Sequence, residues 1–374
     1  MVYDIIVSGL GPAGCSFLKE LSGSGLKVLA IEKEKFPRKK PCAGGLTPKA
    51  YKLLSSLFPK LEKVVRARSK EIELHYKSRT SLIKSREPLT FLTDRSELDN
   101  FLFEELPSEE LKIHTGERCI SVERLEDGKI SVKTDKDSYT CRVLIVSDGA
   151  NSRVANQLKV ERDLGFTYEI DVEGKGEDRI VIDFTHFSWG YYWAFPKGNF
   201  ITTGVGEFKS KENFKRLYQL LKEFNEKHGF KGKEIWKGGF PIPAGKGKND
   251  VYRDRVLFLG DAGGLVDPLT GEGIYYAARS GVLAAKVIKS SFEKGNFKVL
   301  RTYKELVDSE MGEEFKWARI TGRLFFPLRN LNFFLIERSE KVSAIAAKLM
   351  SGDISYRESF FSFFKAVPGA LLKI

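Results

Sequence analysis

No apolar run in the 374 residues reaches membrane-spanning length, so the chain is not expected to cross a bilayer as a helix. A basic leader is missing too. Met1-Val2-Tyr3-Asp4 runs into Ile5-Ile6-Val7-Ser8, an apolar stretch of strand length, and no signal peptide is expected. Cysteine is scarce: Cys15, Cys42, Cys119 and Cys141 form no C-x-x-C pair. That spacing excludes a short-chain disulfide framework and a cysteine-ligated iron–sulfur cluster, and reduced thiols in a cytoplasmic protein are the expectation. His75, His114, His186 and His228 are equally scattered, which leaves no zinc site, and no metal, to expect. Only two Gln (Gln157, Gln219) and three Met accompany abundant Lys and Glu, a bias of thermophilic proteins.

What is present describes a globular protein of roughly two packed subdomains, with 42% hydrophobic and 30% charged residues. The formal net charge is +12, and residues 33–70 hold twelve Lys or Arg against two Glu. Such a block could face nucleic acid, an anionic membrane or an acidic protein, or be no more than a solvated lysine-rich face.

The first thirty residues carry the clearest chemistry. Val2 to Ser8 reads as a buried parallel strand, followed by Gly9-Leu10-Gly11-Pro12-Ala13-Gly14, a helical stretch, a second strand from Lys27 to Ile31, then Glu32 and Lys33. Strand, G-x-G-x-x-G, helix, strand and acid, in this order and spacing, form a dinucleotide fingerprint. Gly9 permits the tight turn, Gly11 lets the backbone approach a pyrophosphate, and Gly14 lets helix and strand pack closely. The helix N-terminus supplies amide donors and the positive dipole end. Glu32 can accept from the ribose hydroxyls. This motif alone does not separate FAD from NAD.

The far end of the chain points to FAD. Arg255 to Leu259 reads as another buried strand ending in Gly260-Asp261-Ala262-Gly263, and Gly271-Glu272-Gly273-Ile274 opens a long helix. Asp261 can take the ribityl hydroxyls of a flavin. The helix amides can face the ring edge that turns negative on reduction. Between these, Arg142 to Ser147 is a strand ending in Asp148-Gly149, and Asp94-Arg95-Ser96-Glu97 opens a helix in the form of a capping box.

The glycines with Glu32, then Arg95, then Asp148-Gly149, then Gly260-Asp261 resemble, in order, the flavoproteins of the para-hydroxybenzoate hydroxylase type, over roughly residues 1 to 300. That resemblance places Arg95 and Asp148-Gly149 on the phosphate–ribose side of FAD and Asp261 at the ribityl chain. Two further segments, Pro41-Cys42-Ala43-Gly44-Gly45 and Tyr191-Tyr192-Trp193-Ala194-Phe195-Pro196, are similar to the Pro-Cys-Gly-Gly and Y-x-W-x-F-P motifs of the geranylgeranyl reductase family. Ala43 stands where Gly is common, and Ser188 replaces the usual leading Pro of the second motif. The resemblance implies an FAD-dependent reductase that saturates polyprenyl chains of archaeal-type ether lipids. Cys42 to Gly45 would lie near the flavin ring, and Tyr191, Trp193, Phe195 and Pro196 on the lipid. On a strand, Tyr191, Trp193 and Phe195 share one face, either an aromatic wall for such a lipid or ordinary sheet core. Cys42 and Tyr191 are the candidate proton donors, with bound water a third.

The expected fold is α/β, α+β overall: a Rossmann-type FAD-binding domain (1–70, 94–160, 245–300), an inserted antiparallel-sheet substrate domain (71–93, 161–244) interrupted by a helix over Lys211 to Lys227, and a helical C-terminal region (301–374). Residues 323–374 hold eight of the 28 Phe, interspersed with Arg and Lys. That composition suits a peripheral membrane surface or lipid entrance, or helices packed on the cofactor domain. With no second dinucleotide fingerprint, the reductant would be transiently bound NAD(P)H or reduced ferredoxin docking on residues 33–70. A reductase of a quinone's isoprenoid tail and an FAD-dependent monooxygenase or halogenase are the competing readings. Nucleic acid is not an expected partner.

Overall fold

The structure is a computed structural model and describes residues 1–107, 111–208, 213–244 and 250–371. Lys211, the 244/245 boundary on its C-terminal side, and residues 372–374 of the expected organisation lie outside the described residues. The expected α/β fold is the one the chain adopts. Its larger sheet is built on parallel strands in the order Leu111–Thr115, Val28–Glu32, Val2–Ser8, Ser138–Val146, Val256–Phe258. Val2–Ser8 has one sequence neighbour beside it and, on the other flank, a strand from more than a hundred residues later. It therefore marks a topological switch point, where the carboxyl ends of such strands open a ligand crevice. Gly9, Glu32 and Ser147 emerge at that edge. Helix Pro12–Leu21 packs on helix Ile274–Glu293 so closely that a Cβ on Gly281 would lie 2.4 Å from the Ala13 carbonyl. This contact fixes both helix starts at the same end of the sheet.

A seven-stranded sheet roofs this layer, in the order Glu234–Ala244, Asp163–Glu173, Phe200–Glu207, Gly190–Pro196, Arg179–Asp183, Glu71–Tyr76, Arg79–Lys84. It is antiparallel, as expected, except where Arg179–Asp183 pairs in parallel with Glu71–Tyr76 and so joins the two insertions. One correction concerns Thr90–Thr93. Read with the roof, it pairs instead with Gly45–Leu46 and Val65–Ser69 in a small separate sheet, because the Gly44 carbonyl accepts from both the Thr93 amide and hydroxyl. Helix Phe214–Lys227, capped by Asn213, covers one face of the roof with Leu217, Leu220, Leu221 and Phe224.

Where that helix ends, Asp183 is buried and accepts from the Thr185 amide (2.8 Å) and Lys227 Nζ (2.8 Å), with His228 Nε2 at 3.3 Å. Burial alone would raise its pKa, but the bonds from His228, Lys227 and Thr185 outweigh it and hold the carboxyl well below the usual range. A carboxylate with a depressed native pKa stabilises above its unfolded value of about 3.9, and the contribution is lost as pH falls below that. Asp183→Asn is accordingly expected to cost about 1–3 kcal/mol at neutral pH. Thermal melts would show the gap from wild type narrowing under acid.

The C-terminal helices pack differently from the cofactor-domain expectation. Phe315, on helix Glu313–Phe325, does enter the cofactor-domain core. Helices Arg329–Arg338 and Glu340–Ser351 instead lay Phe333, Ile336, Ala346 and Met350 on Ile72, Leu74 and Ile83 of the roof. The roof thus has a helix on one face and the C-terminal helices at its Glu71–Lys84 edge. No helix among the described residues is long and apolar enough to cross a membrane.

Candidate active site

At the switch point the glycine turn has the geometry its sequence demands. Gly9 has φ +98°, and a Cβ there would sit 2.5 Å from the Ser147 carbonyl. A Cβ on Gly14 would be 2.1 Å from the Gly9 carbonyl. Gly11 differs. It is extended, and a Cβ would meet only the Arg38 guanidinium, at 3.7 Å. The space above it is open, as close approach of a ligand backbone requires. Pro12 and Ala13 open the helix, and Glu32, buried at the end of its strand, accepts from the amides of Leu10 (2.8 Å) and Glu34 (3.1 Å). Lys33 is exposed beside it.

Asp148 follows the neighbouring strand and leaves Oδ1 buried with no hydrogen-bond partner. Gly149, at φ +82°, has open space where a Cβ would go. Burial lifts the Asp148 carboxyl to about 6. An orphaned carboxylate oxygen and two open glycine positions around one strand edge fit a dinucleotide, whose hydroxyls and phosphates would complete them.

Arg95 is joined through Asp99 to Arg38 beside the glycine turn. It is buried, gives both arms to Asp99 at 2.9 Å, and lines a cavity beside Cys42. The arginine leaning over Gly11 is Arg38, which also reaches Asp99 (3.1 Å) and has its Nε buried without a hydrogen bond. Arg38 was not singled out in the sequence; only its place in the basic block was visible. Within the basic block Arg38, Lys39, Lys40, Lys49, Lys60, Arg66 and Arg68 carry ion pairs within the chain, and of the block's basic residues only Arg38, Lys40 and Lys49 are not exposed.

The cavity has a volume of about 940 Å³, at the large end of small-molecule sites. One end is built from Cys42, Ala43, Gly44 and Gly45, from Asp261, and from Gly271, Glu272, Gly273 and Ile274 at the start of the long helix. Gly260 has φ +53° and donates its amide to Ser280 Oγ (3.0 Å), turning Asp261 into the site, where Lys40 Nζ lies 3.4 Å away. The Glu272 carboxylate points away from any ring-binding role. It accepts from the Thr47 hydroxyl and pairs with Lys49 at 2.8 Å, while the Gly271 amide is given to the Asp267 carbonyl (3.0 Å) and the Glu272 amide to Thr270 Oγ1 (3.4 Å).

Tyr191, Trp193 and Phe195 all line the cavity, as period-two alternation requires. Phe195 lies against Gly45, where a Cβ would be 2.6 Å from its ring, and Trp193 lies flat on Gly204. Pro196 is a correction. The same alternation turns it to the opposite face, onto Gly176, and it does not line the cavity. Tyr191 donates its hydroxyl to the Thr270 carbonyl, and burial raises its pKa, so its proton is held in place. Cys42 is half-buried and receives the Gly44 amide at 3.5 Å. The remaining wall comes from the C-terminal helices through Phe325, Leu328, Leu335, Ala346, Leu349 and Phe363, among others.

A group missed from sequence sits next to Cys42: Glu169 and Lys197, both buried. Thr167, Glu169 and Asp171 alternate along one strand, a pattern that ordinarily marks a solvent-facing side.

Against known proteins, the model of the lycopene cyclase protein family matches residues 4–365. An uncharacterized protein of Methanosarcina barkeri is 32% identical over 99% of this chain and 95% of its own. Digeranylgeranylglycerophospholipid reductase 2 of Methanosphaera stadtmanae is 27% identical over 99% of this chain and 98% of its own. Among solved structures, a geranylgeranyl bacteriochlorophyll reductase-like protein of Thermoplasma acidophilum superposes with a TM-score of 0.83 at 20% identity, over 97% of this chain and 99% of that one.

Proposed function

The chain belongs to the lycopene cyclase protein family, and from that premise we propose that it is an FAD-dependent reductase saturating the C=C bonds of geranylgeranyl chains in archaeal-type ether lipids or their precursors. The observation that carries this reading is the union of two surfaces in one cavity: a helix start and the Cys42–Gly45 segment at one end, an apolar aromatic and helical wall along the rest. A polyprenyl chain offers no hydrogen bonds, so its binding rests on burial worth about 0.8 kcal/mol per carbon. The family likeness to a digeranylgeranylglycerophospholipid reductase supports the same substrate class.

FAD, when bound, supplies the hydride. The chain's own residues do the remaining work. The amides of the Gly9–Gly14 turn, with Arg38 above them, hold the pyrophosphate, Glu32 takes the ribose hydroxyls and Asp261 the ribityl chain. The helix start at Gly273–Ile274, with its positive dipole end, stabilises negative charge on the ring edge. Tyr191, Trp193 and Phe195 orient the prenyl chain, and the C-terminal helices keep water from it. With the Tyr191 hydroxyl committed to Thr270, Cys42 is the group assigned to carry the proton.

Leu324, Leu328, Leu331 and Phe364 are exposed on the C-terminal helices and also border the cavity. In this reading the lipid arrives there from a membrane surface. Incubating the dithionite-reduced holoprotein with a digeranylgeranyl lipid is expected to raise the lipid mass in two-hydrogen steps. A product of unchanged mass and altered chromatographic retention would mark isomerisation or cyclisation, lipid recovered unaltered would contradict the reading, and an added oxygen would mark a monooxygenase.

A further inference from the structure

A buried cluster of charged side chains adjoins Cys42 and takes no part in holding the cofactor or the prenyl chain. Glu169 and Asp171 share one face of strand Asp163–Glu173, Lys197 follows strand Gly190–Pro196, and the three are 3%, 5% and 2% exposed. Asp94 and Lys39 close the group. Lys39 Nζ lies 3.0 Å from Asp94 and 3.5 Å from Asp171, and its side chain is half in solvent. Lys197 faces Asp171, Glu169 and Asp94 together. Of the other charges packed here, Arg95 pairs with Asp99, which Arg38 also reaches, and it hydrogen-bonds the Cys42 side chain and lends its field to Glu169, while Lys40 reaches Asp261. Burial in a low dielectric works against the charged forms of both Glu169 and Lys197, and it favours a proton on the carboxyl with the fewest bonds to its charged form.

The bonding pattern says which carboxylate. Asp94 caps a helix, accepting from Ser96 (2.7 Å) and Glu97 (3.3 Å) as well as Lys39. Asp171 accepts from the Thr202 hydroxyl (2.6 Å) and Lys39. Glu169 has the Cys42 backbone amide and the fields of Lys197 and Arg95, and it lines the apolar cavity. Burial raises its carboxyl to about 8, against the opposing pull of Lys197. Glu169 also borders a second, small void of about 10 Å³, shared with Cys42, Lys39, Asp94, Asp171 and Lys197. That is close to the room one water needs.

We propose that Glu169 stores the proton that reloads Cys42 during alkene reduction, with Lys197 and Lys39 forming its path to solvent. This rests on the alkene-reductase reading. Hydride from the reduced FAD joins one alkene carbon, leaving the cofactor oxidised. The neighbouring carbon takes the Cys42 thiol proton as the S–H bond breaks. The Glu169 O–H proton then passes to the thiolate, and one solvent proton restores Glu169. Each saturated bond consumes one hydride and one solvent proton. Glu169 acts through Cys42 and is a positioning residue that holds a proton.

Infrared spectra of the holoprotein without lipid read that proton directly. The expected result is a protonated-carboxyl C=O stretch at neutral pH that titrates at about pH 8 and is absent in Glu169→Gln. Lys197→Met, by removing a positive charge, moves the titration to higher pH. With a geranylgeranyl lipid, wild-type flavin reoxidation falls as pH rises through that titration, since the active form is protonated. Glu169→Gln is slower by roughly 100-fold at neutral pH and lacks that decline. A Glu169 ionised at neutral pH overturns the proposal, as does a Glu169→Gln variant that keeps the wild-type rate and pH profile. An intact carboxyl band in a wild-type protein that reduces no alkene overturns the substrate reading, and the relay with it, while leaving the buried proton established.

Discussion

Gly11→Val gives a folded protein that does not hold flavin. The backbone at Gly11 is extended, φ −79° and ψ −170°, a conformation any residue adopts, and a Cβ there meets nothing closer than the Arg38 guanidinium at 3.7 Å. The chain itself therefore accepts the side chain. The cofactor does not, because the open space above Gly11 is where the pyrophosphate must approach the helix N-terminus. Inserting a branched side chain into a close contact costs about 3 kcal/mol at the upper end of overpacking effects, or roughly 100-fold in FAD affinity. Gly14→Ala is the contrasting control. Its Cβ would stand 2.1 Å from the Gly9 carbonyl and 2.9 Å from Ser147 Oγ, so it distorts the turn with or without ligand. Flavin absorbance per mole of protein, read beside the thermal melt of the apoprotein, separates the two. Gly11→Val should melt close to wild-type apoprotein and bind little FAD, whereas Gly14→Ala should lose stability as well. A Gly11→Val variant with full flavin content would place the pyrophosphate elsewhere.

Ala346→Trp is expected to shorten the prenyl chain the enzyme accepts. Ala346 sits on helix Glu340–Ser351, packs on the roof-sheet cluster around Ile72, Leu74 and Ile83, and lines the cavity on the C-terminal side, away from Cys42 and the glycine turn in sequence and in element. An indole at this position fills wall space that the end of a long chain needs. Excluding one five-carbon isoprene unit forfeits about 4 kcal/mol at about 0.8 kcal/mol per carbon, roughly a thousandfold in kcat/KM. A substrate one unit shorter should lose far less. Competition between geranylgeranyl and shorter prenyl lipids, followed by product mass, measures the ratio. An unchanged ratio would mean that the chain does not run along the C-terminal helices.

The parts of the site that were legible in the sequence are those in which neighbouring residues carry the information. Gly9, Gly11, Gly14 and Glu32 lie within one strand–turn–helix–strand unit, and their roles follow from spacing. Tyr191, Trp193 and Phe195 share a face because a strand alternates, and the same rule, applied strictly, would have turned Pro196 away. What was not legible depends on residues far apart in the chain. Arg38 leans over Gly11 while Asp99 holds both guanidinium arms of Arg95 and pairs with Arg38 as well, an arrangement set by three segments rather than by one motif. Thr90–Thr93 joins Gly45–Leu46 through a Gly44 carbonyl that composition does not reveal. The internal ion pairs of the basic block were hidden because their partners (Asp94, Asp99, Asp171, Asp261 and Glu272) come from distant segments. Glu169 and Lys197 were invisible for the same reason. An alternating polar strand looks solvent-facing until the element opposite it is known.

The account stands most directly on whether an alkene takes electrons from the flavin. Holoprotein reduced with dithionite, freed of excess reductant and mixed with a geranylgeranyl lipid under anaerobic conditions, should recover the oxidised flavin spectrum in step with saturation of the lipid, one flavin oxidised per double bond lost. Flavin that stays reduced beside the lipid and reoxidises only when oxygen is admitted would contradict the reductase assignment and point to an oxygen-using enzyme on the same fold.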